Sequence, residues 1–207
     1  MEKAKEYLPN AVAIDLASNN TMVNLTNRES ISSANASVSN SEGLGKFASA
    51  LSLSVAPSKN QGNGFGFKVG PELTFAFNNL RFKSDSALLD STDFQLLRTS
   101  LGASPEVNYK TNLGTFYASL GLGLAYSWIS WSSPASGDNI SGFNLNFILS
   151  IGYYVYASEN MLVKVYTRSI TEDKNIWNKA LDASQGFDVP VESVSNNIVG
   201  FSFAYVF

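Results

Sequence analysis

Residues 113–129 leave little choice of fold. Phe116, Ala118, Leu120, Leu122, Leu124, Tyr126 and Trp128 take every second position, and Tyr117, Ser119, Gly121, Gly123, Ala125 and Ser127 fill the places between. A period of two belongs to a strand, whose successive side chains point to opposite faces. A helix would set Gly121 and Gly123 in its interior, where each costs about 1 kcal/mol relative to alanine. One face is therefore bulky and apolar, and the other is small. The stretch 142–156 repeats the pattern, with Phe143, Leu145, Phe147, Leu149, Ile151, Tyr153 and Val155 against Asn144, Asn146, Ile148, Ser150, Gly152, Tyr154 and Tyr156. So does 64–77, with Phe65, Phe67, Val69, Pro71, Leu73, Phe75 and Phe77 against Gly66, Lys68, Gly70, Glu72, Thr74 and Ala76.

The size contrast decides which face looks inward. A soluble barrel puts its apolar residues inside. An eight-stranded barrel has a narrow interior, and about forty large apolar side chains would not fit there. The bulky face must point out. Water against it would cost about 25 cal/mol per Å² of apolar surface. Lipid is the consistent solvent, and closure removes the strand edges that lipid cannot satisfy. The fold class expected is all-β, a transmembrane up-and-down antiparallel β-barrel of eight strands, or ten if the N-terminal region adds a hairpin.

Composition agrees. Charged residues make up 15% of the chain, against roughly 25% in soluble domains. No run of about 18 apolar residues exists to make a transmembrane helix. The net charge of −3 is carried without a basic patch, which argues against nucleic acid as a partner. With no Cys and no His, disulfides, thiolate and imidazole metal sites and Ser-His triads are excluded. No cofactor or metal is expected, and no enzyme activity. Met1 to Glu6 is charged, with no hydrophobic stretch after it, so an exported protein would be read as a mature chain whose signal peptide has been removed.

Taken in order, residues 1–43 read as an N-terminal arm, periplasmic or inserted in the barrel. Its alternating pieces, Val12-x-Ile14-x-Leu16 and Val23-x-Leu25, are shorter than the 9–11 residues of a membrane strand. Residues 44–207 read as the barrel. Its strands are expected near 44–56 (with Leu51, Leu53 and Val55 outward), 64–77, from 80, 94–109, 113–129, 142–156, 161–170 and 199–207. Asn78-Asn79 is read as a tight turn. That turn, Asn112-Leu113 and 157–160 fall at one end, and the connections 57–63, 84–93, 130–141 and 171–192 at the other. Two aromatic girdles follow: Phe75, Phe77, Tyr109, Phe116, Tyr153, Tyr205 and Phe207 at the periplasmic end, and Phe65, Phe67, Tyr126, Trp128, Trp131 and Phe143 at the outer end.

The chain ends Val199-Gly200-Phe201-Ser202-Phe203-Ala204-Tyr205-Val206-Phe207. The alternating aromatics and terminal Phe resemble the closing strand of bacterial outer-membrane β-barrels. Gly70-Pro71-Glu72-Leu73-Thr74-Phe75 and Ser104-Pro105-Glu106-Val107-Asn108-Tyr109, each followed by Asn-Leu, are similar to hairpins of the small barrels of that class. The resemblance covers about 64–128 and the last strand. It implies an outer-membrane location in a Gram-negative envelope, and recognition of Phe201, Phe203, Tyr205 and Phe207 by the barrel-assembly machinery. It says little about activity.

The candidate site is the lumen. Lys68, Glu72, Arg81, Lys83, Arg98, Glu106, Lys164 and Arg168 fall on the inward face, where cations and carboxylates pair rather than stay isolated. Glu72 and Glu106 are expected to meet Arg81, Arg98 or Lys164. The main reading is a salt-bridged plug in a barrel with a structural, anchoring or interaction role. An envelope protein would be met through residues 1–43 or the outer loops. The alternative is a narrow, cation-lined channel for small or amphipathic solutes. The acidic loop with Glu172, Asp173, Asp182 and Asp188 matches no calcium motif.

Overall fold

A computed structural model describes residues 8–25, 35–40, 47–58, 62–83, 93–133, 139–172, 174–179 and 191–207. Its strands are β1 (Ala11–Leu25), β2 (Asn35–Asn40), β3 (Phe47–Ser54), β4 (Gly64–Lys68), β5 (Pro71–Lys83), β6 (Asp93–Ala103), β7 (Glu106–Lys110), β8 (Thr115–Ser133), β9 (Ile140–Tyr156), β10 (Met161–Glu172) and β11 (Val191–Val206).

Pairing reduces these to eight staves. β2 and β3 share the partners β1 and β5 and form one interrupted stave. β4 and β5 form the next, and β6 and β7 the one after, because Lys68 pairs with Glu106 and Pro71 with Ala103 in one continuing register. β1 pairs with β11 from Ala11↔Val206 onward, and that pairing closes the cylinder. All these pairings are antiparallel, and apart from the closing pair β1–β11 they join staves consecutive in the chain.

The count of eight stands, but two staves differ from the sequence reading. Residues 11–25 are not an arm. β1 is a full wall strand of 15 residues, hydrogen-bonded on both sides. The alternation stops at Leu16 because the residues beyond it rise past the apolar band, where backbone pairing continues with Asn19↔Ile198 and Asn20↔Asn197. Conversely, Asn78-Asn79 is no turn. Asn78 faces inward, 5% exposed, and the ladder runs unbroken from Pro71↔Ala103 to Arg81↔Asp93. One stave was missed and one was cut in two. The 57–63 connection therefore lies at the same end as 111–114 and 157–160. Val55, expected outward, is buried at 5% exposure, because β3 ends at Ser54 and the chain turns inward there.

The girdles move accordingly. Phe65 stacks on Tyr109 at 4.9 Å between ring centroids, and Phe116 on Tyr153 at 4.9 Å. Phe65 and Phe67 thus belong to the end that carries the termini, with Tyr205 and Phe207. Phe77 is level with Leu97 and Trp128, and Phe75 with Thr99 and Tyr126, so those two phenylalanines belong to the opposite belt. There Tyr126 packs on Phe143 at 5.0 Å. The Trp131 side chain lies outside the described residues.

The stagger can be read directly. One ladder steps from Phe65 through Tyr109, Phe116, Tyr153, Val165, Phe201, Leu16 and Ser49, and returns to its starting stave at Phe77, twelve residues on. At ~3.3 Å per residue and ~4.8 Å between strands, this gives a tilt of about 45° and a backbone radius of about 9 Å. Phe116 and Tyr126 are ten residues apart on one strand, as are Phe143 and Tyr153 on the next. At that tilt the belts stand roughly 23 Å apart, close to the ~25 Å apolar band of membrane barrels.

The interior is filled by alternating large and small residues around the ring. The ladder Asn108, Tyr117, Gly152, Tyr166, Gly200, Ala17 crosses six staves, and each tyrosine has a glycine beside it. A Cβ on Gly152 would stand 2.7 Å from Tyr117 Cε1 and against the Val165 carbonyl. Gly123 is different, since the nearest atom to its Cβ would be 3.5 Å away. Gly152→Leu is expected to cost about 1–3 kcal/mol by overpacking, and Gly123→Ala to cost far less. The midpoint of urea unfolding in lipid vesicles measures both.

Candidate functional site

β5 places Glu72 inward between Leu73 and Pro71, which face lipid, and β10 places Lys164, Tyr166 and Arg168 inward between Val163, Val165 and Thr167. The staves of Glu72 and Arg168 are four apart in a ring of eight, so their side chains meet across the lumen. The Arg168 Nη2 to Glu72 Oε1 distance is 3.7 Å. Ser150 Oγ accepts a hydrogen bond from Arg168 Nε at 3.0 Å, and the Thr74 hydroxyl donates to Glu72 at 3.3 Å. Asp15 of β1 is buried at 7% exposure and joins this layer.

A second pair lies toward the termini. Lys68 Nζ is 3.5 Å from Glu106 Oε2, and the two residues face each other directly across neighbouring strands. Lys164 Nζ sits 4.9 Å above the Tyr117 ring, and Arg168 sits 5.3 Å from that of Tyr166, contacts that favour a cation over an aromatic face. Tyr117, Tyr154, Tyr166 and Leu162 pack together around them. On the side away from the termini, Arg98 is buried at 7% exposure, its Nε donating to Ser127 Oγ at 3.4 Å. Asn144 and Asn196 are buried in the same half of the lumen.

Among the described residues the lumen holds a cavity of about 70 Å³ on the loop side and another of about 50 Å³ on the side of the termini. Asp15, Glu72, Ser104, Tyr166 and Arg168 line both, so one layer of side chains divides the lumen. Beyond the loop-side cavity, a helical turn at 175–179 folds back over the mouth. Ile176 and Trp177 are buried at 3% and 1% exposure, and Ile176 Cδ1 lies 3.5 Å from where a Cβ on the inward-facing Gly142 would be.

The structure places six of the eight candidate charges in the lumen: Lys68, Glu72, Arg98, Glu106, Lys164 and Arg168. The side chains of Arg81 and Lys83 lie outside the described residues, although their backbones continue β5. The carboxylates choose other partners than expected, Arg168 for Glu72 and Lys68 for Glu106. Asp15 was missed, yet a charge between the outward Ile14 and Leu16 is the same signal that marked Glu72. Phe201, Phe203, Tyr205 and Phe207 all stand on the outer surface, exposed.

No protein-family model and no curated protein sequence matches the chain. Solved structures do. The outer membrane protein AlkL, solved in DMPC bilayers, superposes with a TM-score of 0.51 at 12% identity over 97% of this chain and 91% of its own. The chain has the fold of a small outer-membrane β-barrel. Neisserial surface protein A matches at TM-score 0.44 and 16% identity, covering 95% of this chain and 99% of its own. The Escherichia coli outer membrane protease OmpT matches at 0.45 and 8%, covering 96% and 97%. At these identities the likeness concerns the barrel alone.

Proposed function

We propose that this barrel is a non-enzymatic, non-conducting protein of a bacterial outer membrane. It anchors the connections at its loop-side end, 84–92, 134–139 and 173–190, for contact with an envelope partner. The observation that carries this reading is the division of the lumen by Glu72, Arg168, Asp15 and Tyr166 into two cavities of about 70 and 50 Å³. An ion would have to displace the half-buried Glu72–Arg168 pair to pass. The lumen carboxylates support the non-enzymatic reading too, since Glu72 and Glu106 each sit beside a cation. The closing strand with Phe201, Phe203, Tyr205 and Phe207 is proposed as the segment that the barrel-assembly machinery recognises. The part first assigned to residues 1–43 as a docking arm passes to the loops, because 11–25 belong to the wall.

Planar-bilayer recording and capture from native membranes test the proposal together. The parent barrel is expected to show no channel steps, and to retain a partner that is lost when 173–190 is replaced by a short Gly/Ser turn. Steps from the parent protein would favour the second reading, a narrow channel. That reading keeps one argument: a single side-chain layer separates the cavities, so on it the parent conducts and Glu72→Ala/Arg168→Ala should raise the conductance further.

A further inference from the structure

We propose that the loop-side cavity of the lumen is a binding site for a small uncharged molecule carrying an amide- or urea-type group. The cavity measures about 70 Å³, and Asn78 and Asn146 line it from different sides of the barrel. They are 5% and 2% exposed, and the carboxamide oxygen of each has no hydrogen-bond partner. Among the described residues four buried side-chain atoms are in that state, Asn108 Oδ1 and Tyr117 OH being the others, and of the two lumen cavities this one is lined by two of them, which marks a place where donors are wanted.

The ligand class follows from the walls. A carboxamide presents a carbonyl and an N–H side by side. A ligand amide pairs with it whichever way the side chain is turned. Charge is disfavoured, because the walls carry both signs: an anion would meet Glu72 and Asp15, and a cation Arg98 and Arg168, while Glu72 and Arg168 at the floor already meet at 3.7 Å. Ala17, Ala50, Ala76, Gly102 and Gly123 make the room, while Ile148, Ile170 and Ile198 give an apolar wall for a short hydrocarbon end. The volume takes about two waters, or one molecule the size of acetamide, and no sugar. Ile176, seated on the inward row that continues to Asn144 and Asn146, covers the way in. The site does not depend on the anchoring role; a barrel that conducts nothing can still hold a solute.

Acetamide is the probe, titrated into the barrel in lipid nanodiscs while the side-chain amide NMR signals of Asn78 and Asn146 are followed. Saturable shifts of both signals are expected. Binding should weaken about ten-fold or more in Asn78→Leu/Asn146→Leu, the loss of two hydrogen bonds, and the exchange of acetamide should speed up in Ile176→Ala. If the double variant does not fold, each single variant carries the comparison. Shifts that grow linearly without saturation, that acetate produces equally, or that survive both substitutions would overturn the site and leave water as its occupant.

Discussion

Arg168→Met is expected to destabilise the barrel by about 3 kcal/mol, the lower end for a broken interior ion pair, because Glu72 is left without its partner but is only half-buried in the lumen. Arg168 serves Glu72 across the lumen, holds Ser150 and lies beside Asp15. Adding Glu72→Gln should recover a large share, because the uncompensated charge is then removed along with its counterpart. Reversible urea unfolding in lipid vesicles measures the parent and the two variants. A single variant as stable as the parent would show that water solvates these charges, and the closed lumen would have to be given up.

The second large effect is on the outside. Leu122 lies near the middle of the apolar band, 61% exposed, between the belts of Phe116 and Tyr126. Leu122→Arg should cost about 2–4 kcal/mol, whereas Ser141→Arg, on the neighbouring strand beyond Phe143, should cost about 0–1 kcal/mol. The same vesicle unfolding reads both. Equal costs at the two depths would mean that this surface does not face hydrocarbon.

Much of this was legible in single strands. The rows of β8 and β9 came out residue for residue, because side chains that meet lipid and side chains that meet the lumen differ in size at every step. The lumen charges were legible for the same reason: Lys68, Glu72, Glu106 and Lys164 each stand between two outward apolar residues, and Arg98 and Arg168 fall on the same period. The stave boundaries were less so. Asn78-Asn79 has the composition of a turn, yet Asn78 is an inward residue of β5. Asn19 and Asn20 look like the end of a strand, yet β1 continues through them. In both places the strand is held by backbone hydrogen bonds to its neighbours, and those leave no trace in side-chain type once the chain leaves the apolar band.

Sequence alone determined the period of the strands, the face each residue of β8 and β9 takes, and the outward direction of the bulky face, since these follow from local geometry and from the volume a narrow barrel can hold. Only the tertiary structure decided which strands are neighbours, that Ala11–Leu25 closes the wall, and that Glu72 meets Arg168. Those depend on a twelve-residue stagger accumulated around the whole ring, from Phe65 to Phe77. No short stretch of chain encodes it, because closure is a condition on all eight staves at once.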